Sequence, residues 1–202
     1  LECFHQLIQK GKIRYIGVSN CFAWQIAKAN EIARRNGWEQ FISIQSHYNL
    51  IMREDEREIV PFCNEENIAM TPYSPLAAGR LARRPGEQTT RSEKDTFARS
   101  KYEKSSDQDQ GIIERVIELA NKKGVSMSEI SLAWLIFRKA FPVFAATKKS
   151  HIESAVKATK VTLTPEEVKY LEELYTPHKL TGIVSTNVSA EKMFTLSSVL
   201  KK

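Results

Sequence analysis

Four short runs rich in β-branched and aromatic residues, KIRYIGVSN (12–20), FISIQSHYN (41–49), IAMTPYSPL (68–76) and PVFAATKK (142–149), alternate with segments of helical spacing. This alternation is the strongest constraint on the fold. Strands with near-continuous apolar interiors separated by helices predict a parallel sheet covered by helices. A doubly wound nucleotide fold needs a glycine-rich turn after its first strand, and no G-x-G-x-x-G is present; Gly17 stands alone inside its run. The architecture left is α/β, a barrel of βα units whose functional groups sit where the strands end.

The helices carry their own punctuation. LECFHQLIQKGK places Leu1, Phe4, Leu7 and Ile8 at helical spacing before Gly11. Asn20 is expected to cap a helix over 21–36 that stops near Asn36-Gly37, and a charged helix is expected from Arg53 to Asn67. A further helix spans 112–124. Ser126 and Glu129 have capping-box spacing before SLAWLIFRKA, HIESAVKA is a short helix, and Thr164-Pro165 opens TPEEVKYLEELY. The polar 77–110 connection is too long for an ordinary loop, and the tail 181–202 is irregular, leaving 1–180 as one unit. The chain starts at Leu1, without Met, inside a helical pattern; this predicts a fragment or the loss of an upstream portion.

The net charge is +6, yet Lys and Arg are scattered and their one cluster, Arg80, Arg83 and Arg84, has no aromatic ladder beside it. Nucleic acid is therefore not the expected partner. No apolar run reaches the roughly 18 residues of a membrane span, and no leader opens the chain. Cys3, Cys21 and Cys63 show neither disulfide nor zinc spacing. The expectation is a soluble, cytoplasmic protein without a metal site, with His5 and His178 lacking partners by spacing.

In parallel βα units all strand ends reach one rim. Ser19 and Asn20 end the first strand, Gln45 comes late in the second, Tyr73 and Ser74 end the third, and Thr147 and Lys148 end the fourth. A side-chain amide offers donors and an acceptor in one plane. Asn20 or Gln45 with an aromatic such as Tyr73 beneath suits a flat carboxamide-bearing ring, and nicotinamide fits. Tyr48, Asn49 and His47 are read as structural, with His47 on the face opposite Gln45.

GKIRYIGVSN, SIQSHYNL, TPYSPLAAGRL, AATKKSHIESAV and LTPEEVKYLEELYTPH together resemble the aldo-keto reductases, most closely their aryl-alcohol-dehydrogenase-like branch. The resemblance implies a (β/α)8 TIM barrel, of which this chain holds roughly the C-terminal half: four parallel βα units plus C-terminal helices. It implies reduction of aldehydes and ketones with NADP as cofactor, NAD being possible. By the same resemblance Ser19, Asn20 and Gln45 bind the nicotinamide carboxamide and Tyr73 stacks on the ring. Ser74, Pro75, Leu76, Ala77 and Ala78 line the pyrophosphate path. Ala145, Ala146, Thr147 and Lys148 approach the adenosine phosphate, with His151 a further adenosine contact. Where relatives carry Gln or Arg, then Glu and Asn, against the adenosine, this chain has His151, Ser154 and Ala155.

The family's catalytic Asp, Tyr, Lys and His match nothing here, so no catalytic residue is expected in this chain. The alternatives are a non-catalytic nicotinamide-binding accessory subunit, as in channel β-subunits, or an inactive fragment. Four parallel strands alone leave open edges and an apolar face. Pairing with a missing N-terminal half, or self-association, is therefore expected, with a small carbonyl compound as substrate.

Overall fold

A computed structural model describes residues 1–87, 101–102, 105–181 and 183–186. Much of the 77–110 connection and most of the 181–202 tail thus lie outside the described residues. Three strands, β1 (Ile16–Ser19), β2 (Phe41–Gln45) and β3 (Ala69–Met70), form one parallel sheet in the order β1-β2-β3. Gly17 pairs with Ser43 there, and a Cβ at Gly17 would stand 2.4 Å from the Ser43 hydroxyl. The lone glycine thus marks a close approach of neighbouring strands.

The expected fourth strand is not one. Residues 141–143 run beside β3, with Phe141 N donating to Met70 O and Val143 N to Pro72 O, both at 2.8 Å. The return bond would come from the N–H of residue 72, and proline has none. The contact stays one-sided, and among the described residues the sheet has three strands rather than four. Toward β2 the third run continues past Met70, with Thr71 N donating to Ile44 O at 2.8 Å and Tyr73 N to Ser46 O at 2.9 Å, and it ends in a bridge between His47 and Tyr73.

Helix α1 (Glu2–Gln9) ends as expected, with Gly11 at φ +66°. Helix α2 (Ala23–Arg35) buries Ala23, Ile26, Asn30 and Ala33 at helical spacing. The Asn30 amide brackets the start of β2, accepting from Phe41 N at 2.9 Å and donating to Phe41 O at 3.3 Å. Its N-cap is Phe22, whose N–H bonds the Gln25 side chain. Asn20 is not the cap: its φ of 55° is left-handed, where no helix begins.

The expected 53–67 helix is two pieces, a 3₁₀ turn at Glu54–Arg57 and α3 (Ile59–Glu66), separated at Glu58. Helix α4 (Ser106–Lys123) begins earlier than its apolar spacing indicates, its polar first turn pinned by Ser105 Oγ on Asp109 at 2.8 Å. Helix α5 (Met127–Phe137) is buried almost all round, touches α4 and α6 (Lys149–Ala158), and is capped by Ser126 Oγ on Glu129 N at 3.2 Å. Helix α7 (Pro165–Glu172) opens with a reciprocal Thr164–Glu167 capping box, and a single turn, α8 (Ile183–Thr186), follows. Ile44, Ile26, Leu50, Leu81, Ile112, Ile130, Trp134 and Leu171 fill the core between sheet and helices.

Candidate functional site

The strand ends meet. Tyr73 OH donates to Asn20 Oδ1 at 3.0 Å, and Asn20 Nδ2 donates to Ser19 Oγ at 2.7 Å. Ser19 Oγ in turn donates to Gln45 O at 2.9 Å, which also receives Asn20 N at 3.2 Å. A chain of hydrogen bonds thus crosses the end of the sheet from β3 to β1 over β2. Asn tolerates the left-handed backbone better than other non-glycine residues, and that turn aims its amide back at Tyr73.

Backbone strain gathers at the same end. Of the six described non-glycine residues with positive φ, four are Asn20 (55°), Ser74 (54°), Ala77 (47°) and Ala78 (56°). Each such residue costs on the order of 1–2 kcal/mol, and such strain clusters at functional sites. Ser74 is held by Asn49 Nδ2, which donates to Ser74 O at 2.9 Å. Pro75 and Ala77 are buried, and Ala78 is exposed.

Behind Tyr73 lies a polar cluster that the sequence reading did not assemble. The His47 ring stacks on Tyr73, centroids 5.2 Å apart and planes 10° apart. His47 Nε2 and Tyr102 OH are 2.6 Å apart, and Asn49 Nδ2 reaches Tyr102 OH at 3.2 Å. Lys101 Nζ stands 4.7 Å from the Tyr73 ring centroid. Burial, then Lys101, pushes His47 down to about 3. Burial, then Asp55, pushes Tyr73 up, and burial also pushes Tyr102 up. Neither tyrosine is tuned to give up a proton. The mouth presents hydroxyls, side-chain amides and a ring face.

The profile of the Aldo/keto reductase family matches residues 1–176. The chain belongs to the aldo/keto reductase family. It is 41% identical over 180 residues to versiconal hemiacetal acetate reductase of Aspergillus parasiticus, covering 88% of this chain and 52% of that protein. AAD16 of Saccharomyces cerevisiae, classed with the aryl-alcohol dehydrogenases, is 38% identical over 89% of this chain and 53% of its own length. Among solved structures, the thermostable aldo-keto reductase Tm1743, in complex with the inhibitor epalrestat, superposes with a TM-score of 0.63 at 25% identity, covering 86% of this chain and 53% of that one. The chain spans about half the length of these relatives, and its three parallel strands form part of an aldo/keto reductase barrel.

In this aldo/keto reductase chain, the expected residues fall into two groups. The side chains of Ser19, Asn20 and Tyr73 are joined with one another and with the Gln45 backbone carbonyl, and Ser74–Ala78 continue from them. Ala145, Ala146, Thr147 and Lys148 are exposed. They continue from Val143, which is bonded to Pro72 O, so Thr147 lies within about 13 Å of chain beyond that point. Lys148 is the N-cap of α6, and Thr147 N reaches His151 Nδ1 at 3.4 Å.

Tyr48 and Asn49 are structural, as expected: Tyr48 OH donates to Glu56 at 2.7 Å, and Asn49 Oδ1 accepts from Ile51 N at 3.0 Å. His47 does not lie opposite the mouth; two residues beyond Gln45 in an extended chain is the same face. That i, i+2 spacing was the available signal. Nothing local signalled Lys101 and Tyr102. His5 and His178, which spacing gave no partner for a metal site, each meet one carboxylate: His5 Nδ1 meets Glu39 Oε2 at 2.6 Å, and His178 Nε2 meets Asp109 Oδ1 at 2.7 Å. Arg80 is occupied locally, donating to Ser106 Oγ at 3.2 Å and standing 6.0 Å from the Tyr102 ring centroid. Among the described residues, no group of His, Cys, Asp and Glu could hold a metal, and no helix is long and apolar enough to cross a membrane.

Proposed function

We propose that this chain supplies the cofactor side of an NAD(P)H-dependent reductase of aldehydes and ketones. One observation carries the reading: Ser19, Asn20, Gln45 and Tyr73 form one hydrogen-bonded rim at a single end of the sheet. The Asn20 amide suits a carboxamide, and the half-buried Tyr73 ring suits a planar heterocycle, which must share that ring with Lys101 and with His47 on one face. The strained Ser74–Ala78 turn is the path for the pyrophosphate. Ala145–Lys148 and His151 receive the adenosine end, where Lys148 favours a 2′-phosphate through charge-assisted bonds and hence NADP over NAD. A reduced cytoplasmic setting goes with the three free cysteines.

The upward shifts of Tyr73 and Tyr102 favour a second reading for this chain by itself: nicotinamide binding without turnover, as in an accessory subunit or inactive fragment. On either reading the outer edge of β1 takes up further barrel strands, from a longer polypeptide or a second copy, because closure removes open sheet edges. The test is a fluorescence titration of the 202-residue chain with NADPH and with NADH, followed by an assay with 4-nitrobenzaldehyde. Saturable binding, tighter for NADPH, is expected, with no aldehyde reduction by the chain alone. Absence of binding to both cofactors would end the cofactor reading, and turnover would end the assignment of the proton donor to residues outside this chain.

A further inference from the structure

Tyr102 reaches the mouth from the far end of the long connection, 53 residues from Asn49 and 55 from His47, and is 1% exposed. The Tyr102 hydroxyl is bonded by Asn49 and by the Ser74 side chain, and one arrangement lets its oxygen accept from both. Asn49 Oδ1 accepts from Ile51 N, so its nitrogen is the atom that faces Ser74 O and Tyr102 OH. An amide N–H₂ only donates, so the Tyr102 oxygen accepts from Asn49. The one Tyr102 hydroxyl proton is left for the 2.6 Å contact with His47 Nε2. A neutral imidazole that accepts at Nε2 carries its proton on Nδ1. His47 Nδ1 is itself buried with no hydrogen-bond partner, and the residue is 6% exposed.

Packing alone does not explain this. A Phe would stack on Tyr73 without burying an unpaired N–H, and buried polar groups are ordinarily paired. The imidazole brings a nitrogen that Tyr102 can grip, and that grip sets the plane of the ring lying 10° from the plane of Tyr73. Tyr73 in turn carries the bond to Asn20.

We propose that Tyr102 is a positioning residue of the mouth: it donates to His47 Nε2, holds His47 as the Nδ1–H tautomer, and so fixes the ring that backs Tyr73. The effect on nicotinamide binding rests on the function proposed above, whereas the tautomer does not.

The chain has only four histidines, so a long-range proton–nitrogen spectrum of the imidazoles is readable, with the spectrum of His47→Asn identifying the His47 signals. In the wild-type chain, His47 is expected to remain neutral and purely Nδ1–H between about pH 5 and pH 8, as its depressed pKa allows. Tyr102→Phe removes only the hydroxyl and is expected to give a mixed or Nε2–H tautomer and to raise the NADPH Kd roughly three- to tenfold. Tyr170→Phe, at a half-buried tyrosine on α7 whose hydroxyl bonds Glu118, is the control and should change neither.

An Nε2–H tautomer or a protonated His47 in the wild type would overturn the proposal, and this measurement does not depend on any variant folding. So would a Tyr102→Phe chain with an unchanged tautomer, or one with an altered tautomer and an unchanged Kd. If the wild type shows the Nδ1–H tautomer and Tyr102→Phe shifts it, but NADPH does not bind, the hydrogen-bond assignment stands and the cofactor reading is what fails.

Discussion

The Tyr73 hydroxyl donates to the side-chain oxygen of Asn20 at 3.0 Å, tying the end of β3 to the end of β1 across the intervening β2. Side-chain bonds spanning three strand ends are unnecessary for the sheet itself, whose ladder is already made by the backbone. The bond therefore shapes the mouth. Tyr73→Phe keeps the ring and its stack on His47 but removes the donor, and is expected to lower stability by about 1 kcal/mol. Asn20→Ala loses the same bond, the bond to Ser19, and the residue type best suited to the left-handed turn, so about 2 kcal/mol is expected. Urea unfolding of both single variants and the double variant checks this. The two changes share one interaction and should be sub-additive by roughly 1 kcal/mol.

Gly17→Ala should be the most disruptive small substitution in the sheet. The new methyl would sit 2.4 Å from Ser43 Oγ and 3.3 Å from Ser43 O. Overpacking of this kind costs about 1–3 kcal/mol, and the shift would part β1 from β2 below Ser19. Ser43→Gly in the same chain removes the Oγ and should recover part of the loss. A thermal melt of the single and double variants reads it, and equal melting points would contradict the close approach.

Legibility in the sequence follows the range of the interaction. Gly11, Ser126 and Thr164 were readable because caps act within one helical turn. Asn20, Gln45 and Tyr73 were readable as a group because parallel strand ends reach one rim whatever their separation in sequence. The errors are also physical. Pro72 cannot donate, and the consequence falls on the neighbouring 141–143 segment, which is not a strand. Asn favours both helix caps and left-handed turns, and composition does not separate the two, so the cap expected at Asn20 is a left-handed turn instead. Tyr102 was invisible because the stretch preceding it has no period, so nothing local says which of its residues returns to the mouth. His178 and Asp109 stand 69 residues apart and met only through the packing of α4 against α7.

Asp55 sets one pH dependence. Its Oδ2 is buried without a hydrogen-bond partner. Burial pushes the carboxyl up to about 6, with the nearby Ser46 side chain opposing and Glu54 and Glu56 adding to the rise. A folded-state pKa above the unfolded one means the native chain binds the proton more tightly, so this group removes stability as pH rises from about 4 to about 6. Asp55→Asn carries no charge to desolvate; it should be more stable than wild type by about 2 kcal/mol near pH 7 and match it at acid pH. Denaturant melts across that window would show the wild-type curve falling and the variant's staying flatter; parallel curves would remove Asp55 as the source.

His178 and Asp109 set the opposite dependence. Their side chains are 4% and 0% exposed and meet at 2.7 Å, with Ser105 on the other carboxylate oxygen and the Tyr175 ring stacked on the imidazole. Gln108 Nε2 faces His178 Nδ1 at 3.0 Å, and Glu54 accepts the His178 backbone N–H at 2.8 Å. The bond to Asp109 raises the His178 pKa above its ordinary 6.5, burial opposing it. A raised histidine contributes stability that is complete below the unfolded pKa and is lost as pH climbs through the folded one, so the pair holds residues 176–178 on α4 most firmly in mild acid. His178→Ala leaves the Asp109 carboxylate buried with Ser105 alone. A loss of about 3 kcal/mol is expected near pH 6, where His178 is charged, shrinking toward pH 9 as wild type gives up the same interaction. Hydrogen exchange should localise the loosened region to the first turn of α4 and the 175–178 segment, leaving β1 and β2 protected. A deficit that stays constant from pH 6 to pH 9 would mean that His178 acts by packing on Tyr175, and the ionic account of this junction would have to be given up.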